Sequence, residues 1–193
     1  MNFDNFNAYI ACLTNTIHKA DMEKIQALSS SLWEAWHNNK QVFICGNGGS
    51  AANAMHIAND LFYGIAKDSG SGMRANALPS NQSVLTCLAN DISYHDIFAR
   101  QLRVLGQKDD ILIALSGSGN STNIINVIEL AKKMSIKTFA ILGYSGGKSL
   151  NLADVAIHFP VDDMQVAEDM QLIVGHMVMQ WLREKYSSLN RND

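Results

Sequence analysis

Cys45-Gly46-Asn47-Gly48-Gly49-Ser50 is the stretch that decides the fold, because it joins an apolar strand to a helix through a glycine-rich turn. Apolar residues at helical spacing follow the turn: Met55, Ala58 and Leu61. A strand, a glycine turn and a helix bring free backbone N–H groups and a helix N-terminus together, which is a geometry that binds anions. We expect Ser50 to be the N-cap of this helix.

The same helix carries two side chains that can transfer protons. His56 and Asp60 are four residues apart and therefore lie on one helix face. The stretch thus predicts an anion-binding turn with an imidazole and a carboxylate nearby.

The rest of the chain alternates short apolar segments with helical patterns, which predicts an α/β fold with a parallel sheet covered on both faces. Strands are predicted at 41–45, 74–78, 111–115, 137–142 and 155–159. Helices are predicted at 50–62, 81–88, 94–105, 121–134, 148–152 and 163–186. A helical hairpin over about 4–38, broken near Asp21, precedes the sheet. We expect this hairpin to pack against a neighbouring subunit. We also expect residues 1–193 to form one domain, with a frayed tail from residue 187.

Composition excludes several classes of protein. The chain has 193 residues, 47% apolar and 17% charged, with a net charge of −3 and no long basic run. Nucleic acid and anionic membranes are therefore poor partners, and no apolar run is long enough to span a bilayer. Cys12, Cys45 and Cys87 are far apart and lie among apolar residues. They predict core packing in a reduced, cytoplasmic protein rather than disulfides or zinc fingers.

Two further polar loops follow strands at the edge where parallel sheets bind ligands. The loop 116–122 combines serines, glycines and an asparagine, and the loop 143–147 is rich in glycine. Hydroxyl and N–H donors without a lysine suit a phosphate monoester, although the same residues also form ordinary capped turns. The second glycine loop beside the serine loop favours phosphate binding.

Two nucleotide-binding motifs match only in part. Gly46, Gly48 and Ala51 fit the dinucleotide fingerprint, but the expected end of the second strand, 75–79, has no carboxylate for the ribose. Residues 146–149 resemble the end of a P-loop with a misplaced first glycine. We therefore expect no nucleotide cofactor.

The last helix carries Glu168 and His176 on an otherwise apolar pattern. Alone, each has an ordinary explanation, since Glu168 and Asp169 can be favourable charges in a first helical turn. Asp91, after an apolar run, can likewise be a loop cap.

Taken together, four motifs resemble a known family. These are CGNGGSxxxAxHxA from Cys45, the pair Asn90-Asp91, SxSGNS over 116–121, and EDxQxxxxH over 168–176. They are similar to the SIS (sugar isomerase) phosphosugar-binding family and, through the histidine pair, to its branch of heptose phosphate isomerases. The similarity covers nearly the whole chain, including the N-terminal hairpin.

The resemblance implies a five-stranded, flavodoxin-like, three-layer sandwich and a homotetramer with active sites between subunits. It implies a phosphorylated sugar held at its phosphate by the serine turn: Ser116, Gly117, Ser118 and Ser121. Further residues would line the sugar: Asn47, Gly48, Gly49, Ser50, Asn53, Asn90, Asp91 and Glu168. Asp60 and His176 would be the acid/base pair. Several family members bind zinc, and the matching ligands for one ion per subunit are His56, Asp60, Glu168 and His176.

Three positions depart from the family pattern. Asp60 stands where glutamate is usual, Glu168 where glutamine is usual, and Gly117 where threonine is common. Shortening a catalytic carboxylate by one methylene moves its oxygens by roughly 1 Å, which can cost about a hundredfold in rate. The departures leave open whether Asp60 or Glu168 is the base, and which sugar phosphate is the substrate.

The residues suit an aldose–ketose isomerase, which needs a base, an acid and a means of stabilising an enediolate. We expect conversion of a seven-carbon ketose 7-phosphate to the aldose for surface-polysaccharide precursors. One alternative is a non-catalytic SIS protein that senses a sugar phosphate or regulates replication initiation. That class is not expected to keep both Asp60 and His176. A third reading is an isomerase or lyase for an amino-sugar phosphate.

Overall fold

Five parallel strands form one sheet in the order β2-β1-β3-β4-β5 in the computed structural model, which describes residues 3–67 and 70–189. The strands are β1 Gln41–Cys45, β2 Arg74–Ala77, β3 Ile111–Ser116, β4 Lys137–Leu142 and β5 Val155–His158. The helices are α1 Asp4–Ile17, α2 Met22–His37, α3 Gly49–Phe62, α4 Gln82–Asp91, α5 Ile97–Leu105, α6 Thr122–Lys133, α7 Ser149–Leu152 and α8 Met164–Leu189. This flavodoxin-like strand order confirms the predicted α/β sandwich.

The sheet separates two hydrophobic cores, because side chains alternate along each strand. Val42 and Ile44 of β1 face a core covered by α2, α3 and α8. Phe43 and Cys45 face the other core, which is covered by α5 and α6. Burial on both faces explains why the strands are apolar throughout.

The order of the strands creates a crevice between β1 and β3. These strands are neighbours, with Cys45 paired to Ala114. The chain leaves β1 for α3, on one face of the sheet, and leaves β3 for α6, on the other. Ligands of such sheets bind where consecutive connections diverge in this way, at the carboxyl ends of the strands. The glycine turn and the serine turn therefore meet at this crevice.

The N-terminal hairpin has the predicted break at Asp21. The Asp21 carboxylate accepts a hydrogen bond from the Lys24 N–H and caps α2. Helix α2 buries Leu28 and Leu32, whereas α1 leaves Phe6 and Ile10 exposed. Packing of α1 against another subunit stays a prediction.

Three local predictions were wrong. The N-cap of α3 is Gly48, at φ 57°, and Ser50 is buried inside the first turn. Cys45 is buried as expected, but Cys87 is exposed on α4, because the side of α4 that carries it faces away from the core. Helix α8 continues to Leu189, so 187–189 are helical, while 190–193 lie outside the described residues. Within 3–67 and 70–189, no helix has the length and hydropathy needed to cross a membrane.

Candidate active site

A cavity of about 250 Å³ lies at the carboxyl ends of β1 and β3. It is lined by residues of the glycine turn, the serine turn and the start of α8: Asn47, Gly48, Gly49, Ser50, Leu115, Ser116, Gly117, Ser118, Ser121, Met164 and Glu168. The fold thus brings together nine of the residues that the sequence suggested for phosphate and sugar, with Leu115 and Met164 added.

The serine turn presents hydroxyl donors to this cavity. The Ser116 Oγ accepts a hydrogen bond from the Gly119 N–H at 3.1 Å, and the Ser118 Oγ accepts one from the Asn120 N–H at 3.2 Å. Because both oxygens act as acceptors within the turn, their O–H protons remain available to a ligand. Ser121 is the N-cap of α6 without a capping hydrogen bond from its side chain. This arrangement suits the oxygens of a phosphate at a helix N-terminus.

The glycine loop 143–147 packs against the serine turn but is not among the residues lining the cavity. A Cβ on Gly119 would lie 2.0 Å from the Gly146 carbonyl oxygen. The Lys148 N–H donates to the Asn120 Oδ1 at 3.0 Å. The second loop therefore fixes the shape of the first.

Asn47 is held by two residues that sequence reasoning missed. The amides of Asn47 and Asn123 exchange two hydrogen bonds of 2.9 Å, and the Tyr94 hydroxyl donates to the Asn47 Oδ1 at 3.0 Å. Asn123 is buried in the first turn of α6, so these bonds join the starts of α3 and α6. The one signal in the sequence for this contact was that Asn123 is a polar residue directly after the serine turn.

Asn53 joins α3 to α8. Its Nδ2 donates to the Glu168 backbone carbonyl at 2.9 Å and to the Gln171 Oε1 at 3.2 Å. Gln171 is fully buried and belongs to the motif over 168–176, although we predicted no role for it. The side chain of Glu168 points toward the glycine turn, where a Cβ on Gly49 would lie 2.2 Å from the carboxylate Oε2.

Three ionisable side chains converge between α3 and α8. The Nε2 atoms of His56 and His176 are 3.0 Å apart, and the Asp60 Oδ2 lies 3.4 Å from the first and 3.6 Å from the second. These ligand atoms all lie within 4.8 Å of one another and can hold a metal ion. Glu168, the fourth residue of the implied zinc set, is not in this group, because its carboxylate lies against Gly49.

The side chains of this group are open to solvent to different degrees. Those of His56 and His176 are 48% and 42% exposed, whereas that of Asp60 is 17% exposed. The carboxylate is therefore the protected member, and both imidazoles face outward.

Asn90 and Asp91 do not line the cavity of this protomer. They end α4, where the Asn90 Nδ2 donates to the Asp91 Oδ1 at 2.7 Å and the Cys87 thiol donates to its Oδ2 at 3.4 Å. These two hydrogen bonds, first that from Asn90, lower the pKa of Asp91. Their place in the sugar site stays a prediction.

Gly117 lies beneath Met164, another residue that we did not anticipate. A Cβ on Gly117 would lie 2.6 Å from the Met164 sulfur. The thioether thus fills the space that a side chain at position 117 would take.

Comparison with known proteins is consistent across sequence and structure. Residues 5–143 match the SIS domain family. The chain is 36% identical over 181 residues to a phosphoheptose isomerase of Helicobacter pylori, covering 90% of this chain and 94% of that protein. It is 38% identical over 184 residues to a phosphoheptose isomerase of Akkermansia muciniphila, covering 95% and 92%.

Solved structures are similar over the same length. A phosphoheptose isomerase from Francisella tularensis superposes with a TM-score of 0.88 at 26% identity, covering 95% of this chain and all of that one. The enzyme from Neisseria gonorrhoeae gives 0.86 at 26% identity, covering 94% and 98%.

Proposed function

We infer the function from one premise: this chain belongs to the SIS-domain family, among its phosphoheptose isomerases. It is an aldose–ketose isomerase of sugar phosphates. The reaction is the interconversion of D-sedoheptulose 7-phosphate and D-glycero-D-manno-heptose 7-phosphate. The aldose would supply heptose precursors of surface polysaccharides.

The phosphate of the substrate binds at the serine turn in this proposal. Ser116 and Ser118 supply O–H donors that backbone N–H groups have already oriented, and Ser121 adds a hydroxyl at the start of α6. Hydroxyls and a helix N-terminus stabilise an anion without a lysine. The glycine turn, with Asn47 and Asn53, would hold hydroxyls of the sugar.

Proton transfer takes place at C1 and C2. A base removes a proton from C1 of the ketose, the electrons form the enediolate, and an acid returns a proton to C2 while a second proton passes from O1 to O2. His176 acts on one face of the substrate, and Asp60, or Glu168, acts on the other. The convergence of His176 with Asp60 supports their roles as acid and base, and the 3.6 Å between the His176 Nε2 and the Asp60 Oδ2 must widen when a substrate carbon lies between them. It also argues against a non-catalytic SIS protein, which would have no use for this group.

A zinc ion suits the group of His56, Asp60 and His176. Ligand atoms of a tetrahedral zinc ion lie about 2.0–2.2 Å from the metal, and therefore about 3.3–3.6 Å from one another. The three separations here are 3.0, 3.4 and 3.6 Å. Imidazole nitrogen and carboxylate oxygen are suitable donors, and three protein ligands leave one position open. When bound, zinc would stabilise negative charge on the enediolate oxygens. The His176 Nε2 would then be a ligand, so proton transfer by this atom belongs to the metal-free protein.

A homotetramer would complete the site. The imidazoles of His56 and His176 are open to solvent in one protomer, whereas an enediolate is better protected in a closed site. Exposed apolar side chains also lie on α1 and at the end of α3, including Phe6 at 66% and Phe62 at 65% exposed. Such surface is typical of an interface between subunits.

We also propose that residues 1–193 act as one SIS domain in the cytoplasm, without a nucleotide cofactor. Cys12, Cys45 and Cys87 are unpaired, which fits a reducing compartment.

The test is isomerisation of sedoheptulose 7-phosphate, followed by NMR in D₂O as exchange at C1 and C2. His176→Ala should lower turnover about 10²- to 10⁴-fold, the range of general acid–base catalysis. His18→Ala, on the exposed end of α1, is the matched control and should leave turnover unchanged. Full turnover in His176→Ala would refute the role of His176. No exchange in the native protein would refute the substrate.

A further inference from the structure

The carboxylate of Glu168 lies inside the substrate cavity, against the first residue of α3. A Cβ on Gly49 would lie 2.2 and 2.5 Å from its two oxygens, so the carboxylate takes the space that a side chain at position 49 would need. Among the described residues that line the cavity, Glu168 is the one that carries a charge. The cavity therefore contains a resident anion and no side-chain cation of its own.

The position of this carboxylate is electrostatically favourable. The N-cap of α3 is Gly48, which has no side chain, and the predicted cap Ser50 lies within the first turn. A negative charge beside the first turn of a helix interacts favourably with the helix dipole. Glu168, from α8, supplies the charge that the cap of α3 lacks.

Two helix N-termini face the same small cavity, α3 at the glycine turn and α6 at the serine turn. Each favours one anion, and two anions in about 250 Å³ repel each other. A phosphate that enters this cavity is therefore attracted to the start of α6 and repelled from the start of α3.

We propose that Glu168 determines the direction in which the substrate binds, because its carboxylate lies against the first residue of α3 at the glycine turn and so directs the phosphate to the serine turn. This inference rests on the proposed function, in which the sugar carries its phosphate at one end. Glu168 acts here as a positioning residue, and its carboxylate also offers acceptors to sugar hydroxyls beside α3.

Inorganic phosphate is the probe, with binding measured by titration calorimetry in the presence of a chelator so that no metal contributes. Ser118→Ala/Ser121→Ala should weaken phosphate binding at least about tenfold by removing two donors. Adding Glu168→Gln to this variant should restore binding at least about tenfold, because the glycine turn then accepts phosphate without repulsion. Glu168→Ala provides a second variant, and Glu184→Gln, exposed on the same helix, is the control.

Rescue by Glu168→Gln or Glu168→Ala, but not by Glu184→Gln, supports the proposal. The proposal is overturned if Glu168→Gln and Glu168→Ala raise the phosphate affinity of the double serine variant no more than Glu184→Gln does. Thermal unfolding checks that each variant is folded. The isomerase assay stays separate: a chain that fails to isomerise sedoheptulose 7-phosphate refutes the proposed function, yet can still show the rescue.

Discussion

The Nε2 atoms of His56 and His176 lie 3.0 Å apart, although 120 residues separate them in the chain. The glycine preceding His176 makes this approach feasible. A Cβ on Gly175 would lie 2.7 Å from the Ile57 Cγ1, so α3 and α8 pack closely where the two histidines meet. The geometry of the group formed by His56, Asp60 and His176 therefore depends on a residue that has no side chain.

Gly175→Ala should lower turnover about a hundredfold, because a methyl group would push α8 away from α3 and misplace His176 by about 1 Å. Alanine is the better helix former, so the loss would come from packing. Turnover is measured in the D₂O exchange assay. Ile57→Ala, which removes the Cγ1 and Cδ1 atoms that the new methyl would meet, should recover part of the activity when added. A fully active Gly175→Ala would contradict the link between helix spacing and catalysis.

Zinc should raise the thermal unfolding temperature of chelator-treated protein, since a ligand that binds only the folded state stabilises it. His56→Ala, which removes one of the proposed ligands, should abolish most of this rise. The apparent affinity for zinc should fall as the pH is lowered, because protons compete for the ligand atoms. Competition with a fluorescent chelator measures both effects. Equal zinc affinity of native protein and His56→Ala would exclude the proposed ligand set.

Replacing each of the two candidate carboxylates in turn by its amide identifies the base. We expect Asp60→Asn to lower exchange at C1 about 10²- to 10⁴-fold, as removal of a general base does. Glu168→Gln should lower the exchange much less, and only through misdirected binding of the phosphate, because its carboxylate lies at Gly49 and outside the group of Asp60 with the histidines. The opposite ranking of the two variants would transfer the role of base to Glu168.

Gly117→Thr should weaken phosphate binding at least about tenfold, since overpacking a filled space forces neighbouring groups to move. The Met164 sulfur occupies that space, 2.6 Å from where the new Cβ would lie. Met164→Ala should therefore restore binding in the double variant, with a clear coupling between the two positions. Calorimetry with inorganic phosphate measures all four proteins of the cycle. Additive effects would mean that the two residues act independently.

The hydrogen bond between Tyr9 and Asp169 should make the stability of the protein depend on pH. Its hydroxyl donates to the Asp169 carboxylate, and this hydrogen bond, with smaller contributions from burial and from the Asp169 charge, raises its pKa from 10.0 to about 12. A raised pKa stabilises the folded state fully below pH 10, and the contribution is lost as the pH rises toward about 12. The difference in urea midpoint between native protein and Tyr9→Phe should thus shrink above pH 10. A constant difference from pH 8 upward would contradict this assignment.

The sequence by itself determined the sheet and the positions of the glycine turn and the serine turn. Apolar strands separated by amphipathic helices admit few folds other than a covered parallel sheet. The glycines around Asn47 and the serines over 116–121 lie directly after strands, so their position at one edge followed from the topology. The pairing of His56 with Asp60 also followed, because four residues make one turn of a helix.

Only the tertiary structure decided how α8 contributes to the site. Periodicity predicts which face of a helix is buried, but it does not fix how far the helix is shifted along its neighbour. That shift brings His176 to His56 while it directs Glu168 to Gly49, although both residues belong to one motif. The sequence also did not predict that Met164 packs over Gly117. A contact between two side chains that are distant in the chain leaves no pattern in the local sequence. Local pattern therefore specified the elements, whereas packing distances between them specified the site.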